Sequence, residues 1–128
     1  MQKYPYFYPG QVVTLCSGGQ RMTVKPTDDD DNLEACCIWI NAELGGLPVE
    51  HSFPRNVLKL EEGQNQYGYE RTRFNPGQVV QLRSGEPRMT VLSSQSLAGL
   101  LLVSCIWHDK KSREPLTAAF PSEMLMAV

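Results

Sequence analysis

The fold of this chain is decided by sixteen residues that occur twice, first as Pro9-Gly-Gln-Val-Val-Thr-Leu-Cys-Ser-Gly-Gly-Gln-Arg-Met-Thr-Val24 and again as Pro76-Gly-Gln-Val-Val-Gln-Leu-Arg-Ser-Gly-Glu-Pro-Arg-Met-Thr-Val91. Twelve of the sixteen positions are identical. Two shorter blocks, Cys37-Ile-Trp39 and Phe53-Pro54, return 67 or 68 residues later as Cys105-Ile-Trp107 and Phe120-Pro121. A shared order of blocks at this spacing predicts two copies of one folding unit, because a solenoid would need three or more shorter units.

Each copy predicts five short strands separated by turns. A Pro-Gly pair opens each copy, a Val-rich alternating segment follows, and a Ser-Gly turn leads into a second strand. The third strand is apolar on both faces, and the fourth ends at a Phe-Pro pair that begins one tight helical turn before the last strand. The pattern predicts an all-β fold of two tandem SH3-like small barrels packed together. We expect the first barrel with an aromatic N-terminal extension over 1–60, a polar connector over 61–73 and the second barrel over 74–128.

The repeat also predicts which side chains face the core, because alternate residues of a strand point to opposite faces. The expected core residues, in matching order, are Val13, Leu15, Met22, Val24, Cys37, Trp39, Phe53 and Leu58, with Val80, Leu82, Met89, Val91, Cys105, Trp107, Phe120 and Leu125. Thr23 is expected to face outward, beside Arg21. The serine-rich residues 92–99 are expected to form a loop that differs from the acidic residues 25–32 of the first copy.

A second apolar face on the third strand of the first copy needs cover. Cys37 and Trp39 supply the core from one side of that strand, while Cys36, Ile38 and Ile40 make the other side apolar as well. A single small barrel has nothing left to bury them. We therefore expect the two repeats to pack against each other inside one chain.

Composition excludes several classes of protein. The net charge is -2, so no strong field draws the chain to nucleic acid or to a membrane, although residues 1–66 carry -4 and residues 67–128 carry +2. No apolar run reaches the length of a membrane span. The four cysteines form no Cys-x-x-Cys pair and have no histidine at ligand spacing, which argues against zinc. We expect free thiols and a cytoplasmic location.

No duplicated chemistry supports an enzyme. His51 and His108 occupy unmatched places, and the matching Ser17 and Ser84 each lie in a glycine turn where serine is common for turn geometry alone. The run Asp28–Asp31 lacks the alternating spacing, the glycine and the terminal glutamate of a calcium loop, so a solvated loop is expected instead. We expect no catalytic residue, no cofactor and no metal.

Seven residues are candidates for binding a partner protein: Tyr4, Tyr6, Tyr8, Arg21, Arg88, Trp39 and Trp107. The tyrosines lie outside the repeat, in which Phe74 matches Phe7 alone, and this makes them the better candidates, although they could instead cover the first core or the groove between the barrels. Each tryptophan shares a face with core positions, so a core role is favoured. Each arginine could be a solvated strand end, which we favour over a binding role.

The resulting hypothesis is a non-enzymatic protein-binding module, an adaptor or inhibitor carried by a bacterium or its mobile elements. The alternative is nucleic-acid binding through the more basic second barrel, with Tyr67, Tyr69 and Phe74 as stacking surfaces. Its basic candidates are Arg71, Arg73, Arg83, Lys110, Lys111 and Arg113, with Arg88.

The ordered blocks Pro-Gly-x-Val-Val-x-Leu-x-Ser-Gly, Met-Thr-Val, Cys-x-Trp and Phe-Pro resemble the YodC-like family of small bacterial proteins. Members of that family typically hold one copy, whereas here the resemblance covers nearly the whole chain twice. The second copy resembles it more closely, since Glu123 stands where the first copy has Asn56. The resemblance implies a compact bacterial β domain of unknown function and implies no catalytic residue.

Overall fold

The protein is an all-β chain built as two antiparallel sheets of five strands. A computed structural model describes residues 5–26, 33–41, 43 and 45–128, without the side chain of Glu86. The first sheet contains β1 (Val12–Leu15), β2 (Gly18–Val24), β3 (Glu34–Trp39), β4 (Val49–Pro54) and β5 (Leu58–Leu60). The second contains β6 (Val79–Leu82), β7 (Gly85–Leu97), β8 (Leu100–His108), β9 (Pro115–Pro121) and β10 (Leu125–Ala127). A three-residue 3-10 turn precedes the last strand of each sheet, at Arg55–Val57 and Ser122–Met124.

The two sheets have the same strand order and the same register. The order is β4-β3-β2-β1-β5 in the first and β9-β8-β7-β6-β10 in the second. Val13 lies opposite Met22, and Val80 lies opposite Met89, with an irregularity in each first strand at the following residue. Among the described strands neither sheet closes on itself, so β4 and β5, like β9 and β10, are edges. The all-β prediction and the helical turn before each last strand are confirmed.

Each sheet has its own hydrophobic core on the predicted face. The first core contains Phe7, Val13, Met22, Val24, Ala35, Cys37 and Leu58, with Leu15, Trp39 and Phe53 partly buried against it. All eight predicted core residues of the second sheet are buried together, and Phe74 and Met124 join them. The match follows from strand geometry, because the residues kept between copies alternate along each strand.

Residues 92–99 were expected to form a loop, and this prediction is wrong. β7 continues to Leu97, and β8 returns from Leu100, so the segment is a long hairpin. Its two-residue turn is made by Ala98 (φ 51) and Gly99 (φ 79), both left-handed as the tight turns of β-hairpins require. The serines that read as loop residues lie on the strand, where Ser94 pairs with Val103 and Ser96 with Leu101. The acidic residues 27–32 of the first copy lie outside the described residues.

The expectation that Thr23 faces solvent is also wrong. Thr23 points away from the first core, as predicted, yet it is completely buried because the second half covers it. Its hydroxyl donates a hydrogen bond to Oγ of Ser84 at 2.8 Å and accepts one from the Ser84 amide at 3.0 Å. Ile38 and Ile40 lie on the same side of the first sheet, and both belong to the buried cluster that contains the second core.

Other polar contacts join the first half to the connector and to the second half. The buried side chain of Gln11 donates to the carbonyl oxygen of Asn65 at 2.8 Å. The amide of Gly46 donates to the Asp109 carboxylate at 3.0 Å. Gly10 adopts φ +88 against the main-chain carbonyl of Glu123, at a distance that leaves no room for a Cβ atom. No helix in the described part of the chain is long and apolar enough to cross a membrane.

Candidate partner-binding surfaces

The described tyrosines of the N-terminal extension meet a tyrosine of the connector at the surface. The rings of Tyr6 and Tyr8 pack edge to face with centroids 4.7 Å apart, and Tyr8 packs in the same manner on Tyr67 at 5.9 Å. Tyr6 is 44% exposed and Tyr67 is 71% exposed. We call Tyr6, Tyr8 and Tyr67 the tyrosine surface. Tyr4 lies outside the described residues.

Gln11 links the two chain segments that form the tyrosine surface. Its side-chain oxygen accepts a hydrogen bond from the Tyr8 amide at 2.8 Å, and its side-chain nitrogen reaches the connector at Asn65. The Asn65 side chain in turn accepts from the Tyr67 amide at 3.1 Å. Gly68, with φ +82, allows the connector to pass close to Tyr8. The segments that carry the three rings are therefore fixed to each other by one buried amide side chain.

A groove of about 450 Å³ runs along the tyrosine surface. Leu60 lines it with 41% of its surface exposed, beside the buried Leu58. The Arg55 guanidinium lies 5.7 Å from the centre of the Tyr6 ring. Exposed aromatic rings with hydroxyl groups at their edges can contact aliphatic or proline side chains and donate hydrogen bonds to peptide carbonyls.

A second groove, of about 470 Å³, lies where the two halves meet. Ile40, Pro87 and Trp107 contribute its apolar lining, and the cations Arg88, Lys110 and Arg113 contribute its charge. We call this the Trp107 groove. Its one carboxylate, Asp109, accepts hydrogen bonds from Ser112 and from the Gly46 amide, and these bonds lower the pKa of Asp109. The carboxylate is thus held ionised and already has partners.

Arg21 and Trp39 have structural roles. The Arg21 guanidinium forms an ion pair with Glu61 at 2.8 Å and donates to the Ser84 carbonyl at 3.0 Å. Trp39 is half-buried against the first core, with its ring 6.4 Å from that of Phe53. Trp107 is nearly buried in the second core, and its remaining edge lines the Trp107 groove with Arg88.

The basic candidates for nucleic-acid binding fall on different parts of the second half. Arg83 stacks on Tyr69 at 3.6 Å and donates to the Glu123 carbonyl at 2.8 Å, while burial lowers the pKa of Arg83. Arg71 lies 3.6 Å from the buried Glu123 carboxylate. Lys110 and Arg113 line the Trp107 groove, and Lys111 and Arg73 are exposed. Phe74 is buried in the second core, so the expectation that it stacks on bases is wrong.

All four cysteines are free thiols, with Cys16 exposed and Cys37 and Cys105 buried. Burial raises the pKa of Cys37 to about 12 and that of Cys105 to about 11, so both stay protonated at neutral pH. No three His, Cys, Asp or Glu side chains in the described ranges are grouped to hold a metal ion. The run Asp28–Asp31 lies outside those ranges.

Sequence reasoning missed one ring of the tyrosine surface and two side chains beside it. Leu60 and Arg55 were not singled out, and Tyr67 was considered only for stacking on bases. One signal was available, since Gln11 recurs as Gln78, whose side chain accepts from the Asn75 amide at 3.2 Å as Gln11 does from Tyr8. A repeated buried or half-buried glutamine after Pro-Gly marks the residue that anchors the preceding segment.

In comparisons with known proteins, one family model matches the second half of the chain. A family model described as "Uncharacterized small protein (DUF2158)" matches residues 75–125. This range includes β6 to β9 and the 3-10 turn of the second sheet, and it ends at Leu125, the first residue of β10. No curated protein and no solved structure matches the chain. The match fits a small uncharacterised family and supplies no activity.

Proposed function

We propose that the protein is a non-enzymatic protein-binding module, an adaptor or inhibitor carried by a bacterium or its mobile elements. We propose further that the tyrosine surface binds an extended segment of the partner protein. The observation that carries the proposal is the exposed cluster of Tyr6, Tyr8 and Tyr67 along an apolar groove that Leu60 also lines. Solvent-exposed aromatic clusters of this kind are enriched at protein interfaces. Proline-rich segments are the best match, because they arrive already extended and lose little entropy on binding.

The scaffold we propose is a pair of SH3-like units that arose as tandem copies. Two features support it: each sheet has five strands in the same order, and each has a 3-10 turn before its last strand. We place the module in the cytoplasm, where its four thiols would stay reduced. Folds of this size support many functions, so the binding proposal depends on the tyrosine surface and not on the fold.

The proposal is tested by capture from bacterial cytosol, with the tagged full chain as bait and with nuclease treatment in parallel. Tyr67→Ala should lose the captured protein, and Tyr6→Ala should weaken capture at least tenfold, since truncating an aromatic hot-spot residue costs about 2 kcal/mol or more. Gln95→Ala, an exposed change on β7, is the matched control. Recovery of the same protein by wild type and by Tyr67→Ala would reject the tyrosine surface.

Nucleic-acid binding is the second proposal, supported by the cations around the Trp107 groove. Arg88, Lys110 and Arg113 line one groove with an aromatic edge, which is the combination that single strands use. If three phosphates are bound, affinity for a single-stranded oligonucleotide should fall with salt at a logarithmic slope of about -2. Binding that is insensitive to salt, or unchanged in Lys110→Ala with Arg113→Ala, would exclude this function.

A further inference from the structure

The two sheets differ in what covers their outer faces. We use outer face for the side that points away from a sheet's own core; in the first sheet it holds Val12, Thr23 and Ile38, and in the second Val79, Thr90 and Ile106. Val12 is 3% exposed and Thr23 is completely buried, whereas Val79 is 40% exposed and Thr90 is also exposed. The same side of the same fold is covered in one half and open in the other.

The second half covers the Thr23 part of the first outer face with its first hairpin turn, while the connector meets the Val12 part, where the Gln64 side chain bonds the Val12 main chain. Ser84, in the turn between β6 and β7, exchanges two hydrogen bonds with Thr23, and its carbonyl accepts a third from Arg21. Beside this turn, the Glu123 carbonyl rests against Gly10. Three of these four contacts use main-chain atoms of the second half, so they depend on backbone shape and not on side-chain identity.

We call this contact between the Ser84 turn and the first outer face the junction. Both surfaces that meet in it occur a second time in the chain, and there they are exposed. On the second sheet, Arg88 and Thr90 are identical to Arg21 and Thr23, and both are exposed. On the first sheet, the turn at Ser17 and Gly18 is identical to Ser84 and Gly85, and Ser17 is exposed.

The glycine beside the outer face is repeated in the same way. Gly77 has φ +89, nearly the value of Gly10, but nothing lies within 4 Å of the Cβ position at Gly77. The repetition therefore extends to the backbone conformation that lets a neighbouring carbonyl approach. The outer face of the second sheet has the donors, the hydroxyl and the glycine that the first outer face uses to bind a hairpin turn.

We propose that the outer face of the second sheet binds the first hairpin turn of a second copy of this chain, head to tail. In this contact Thr90 pairs with Ser17 of the second copy, and Arg88 donates to the Ser17 carbonyl of that copy. The contact is heterologous, because it joins two different surfaces, so it propagates into a closed ring or an open row of chains. It involves neither Tyr6 nor Tyr67 and is therefore separate from the binding function proposed above.

Two sequence differences between the copies make this contact between chains weaker than the internal junction. Ile40, which is buried at the junction, is replaced by His108. Glu61, the ion-pair partner of Arg21, is matched by Val128, and Arg88 forms no ion pair within the described part of the chain. The internal junction also gains from its covalent link, which supplies an effective concentration of about the millimolar range. Assembly should therefore depend on protein concentration.

The experiment measures the mass of the full chain in solution by sedimentation velocity across a wide range of concentrations. Wild type should rise above the 14.4 kDa of one chain as concentration increases. Thr90→Arg blocks the outer face of the second sheet. Ser17→Arg blocks the hairpin turn, because it places a cation opposite Arg88 of the neighbouring copy. Each variant alone should therefore remain at one-chain mass. An equimolar mixture should form two-chain species and nothing larger, because each variant retains the surface that the other lacks.

Gln95→Arg is the control for added charge, and it should assemble as wild type does. Ser17, Thr90 and Gln95 are all exposed, so the variants should unfold at the wild-type denaturant concentration. Ile106→Arg provides a second block of the outer face. Wild type that stays at one-chain mass throughout, Thr90→Arg and Ile106→Arg that assemble like wild type, or a mixture that fails to form the two-chain species would each overturn the proposal.

Discussion

Gly10 and Gly77 hold the same backbone conformation in different surroundings. Both have a left-handed φ near +88, but a Cβ atom at Gly10 would overlap the Glu123 carbonyl, while a Cβ atom at Gly77 meets open space. Gly77→Ala should therefore cost only the strain of a left-handed residue, about 1 to 2 kcal/mol. Gly10→Ala should cost more, because the junction must also move apart. Urea unfolding of both variants measures the difference, and equal losses would contradict the close packing of the halves at Gly10.

The buried thiols predict how stability depends on alkaline pH. Burial raises the pKa of Cys105 from 9.0 to about 11 and that of Cys37 to about 12. Between pH 9 and those values the unfolded chain loses the protons that the folded chain keeps, so stability is complete below pH 9 and falls as pH rises. The slope approaches about 1.4 kcal/mol per pH unit for each thiol.

Cys105→Ala should remove one of these contributions. Its free energy of unfolding, followed with urea from pH 8 to about 10.5, should fall less steeply than that of wild type. Parallel curves for the two proteins would mean that the Cys105 thiol ionises as readily in the fold as in the unfolded chain.

Among the strands, β6 offers a direct test of the register, because its residues alternate between the core and the outer side. Val80 and Leu82 point into the second core and are essentially buried, while Gln81 between them points outward and is half-buried. Leu82→Ala and Val80→Ala should each destabilise the protein by about 1 to 4 kcal/mol through the cavity they leave, and Gln81→Ala should have little effect. Thermal unfolding of the three variants checks the alternation, and a large loss in Gln81→Ala alone would mean that the register is shifted by one residue.

The strands were predictable from the sequence because each copy constrains the other. Positions such as Val13 and Val80 stay fixed while Thr14 becomes Gln81, and this contrast marks the inner face. The long β7–β8 hairpin was missed because residues 92–97 include three serines, and because its turn depends on left-handed Ala98 rather than on a glycine pair. The apolar second face of β3 predicts cover for Ile38 and Ile40, but Thr23 on the neighbouring strand is polar and carries no such signal, so its burial was not predicted.

Two of the three rings of the tyrosine surface were predictable from the sequence, and the third was not. Tyr6 and Tyr8 stand out because they have no counterpart in the second copy, where Arg73 and Asn75 occupy their places. Tyr67 joins them only through the path of the connector, which is set by the hydrogen bonds of Gln11 and Asn65. A contact between segments more than fifty residues apart cannot be read from local spacing.

At the scale of the whole molecule, the two halves share apolar burial. Ile38 of β3 is 6% exposed and belongs to the buried cluster of the second core, while the matching Ile106 is only half-buried. Separation of the halves would expose Ile38 and Ile40 to water at roughly 25 cal/mol for each Å² of apolar surface. We therefore expect the chain to unfold as one cooperative unit, and we expect Ile38→Asp to uncouple or unfold the halves while Ile106→Asp has a smaller effect.

The two tryptophans allow a direct measurement of this cooperativity, because Trp39 lies in the first half and Trp107 in the second. Trp39→Phe leaves fluorescence from the second half alone, and Trp107→Phe leaves it from the first. For each single-tryptophan protein, urea unfolding is followed by fluorescence and by far-ultraviolet circular dichroism. We expect the two signals to change together in each protein, with one midpoint and one slope. A fluorescence transition at a different urea concentration from the loss of β-structure in either protein would show that the halves unfold independently and do not form one cooperative unit.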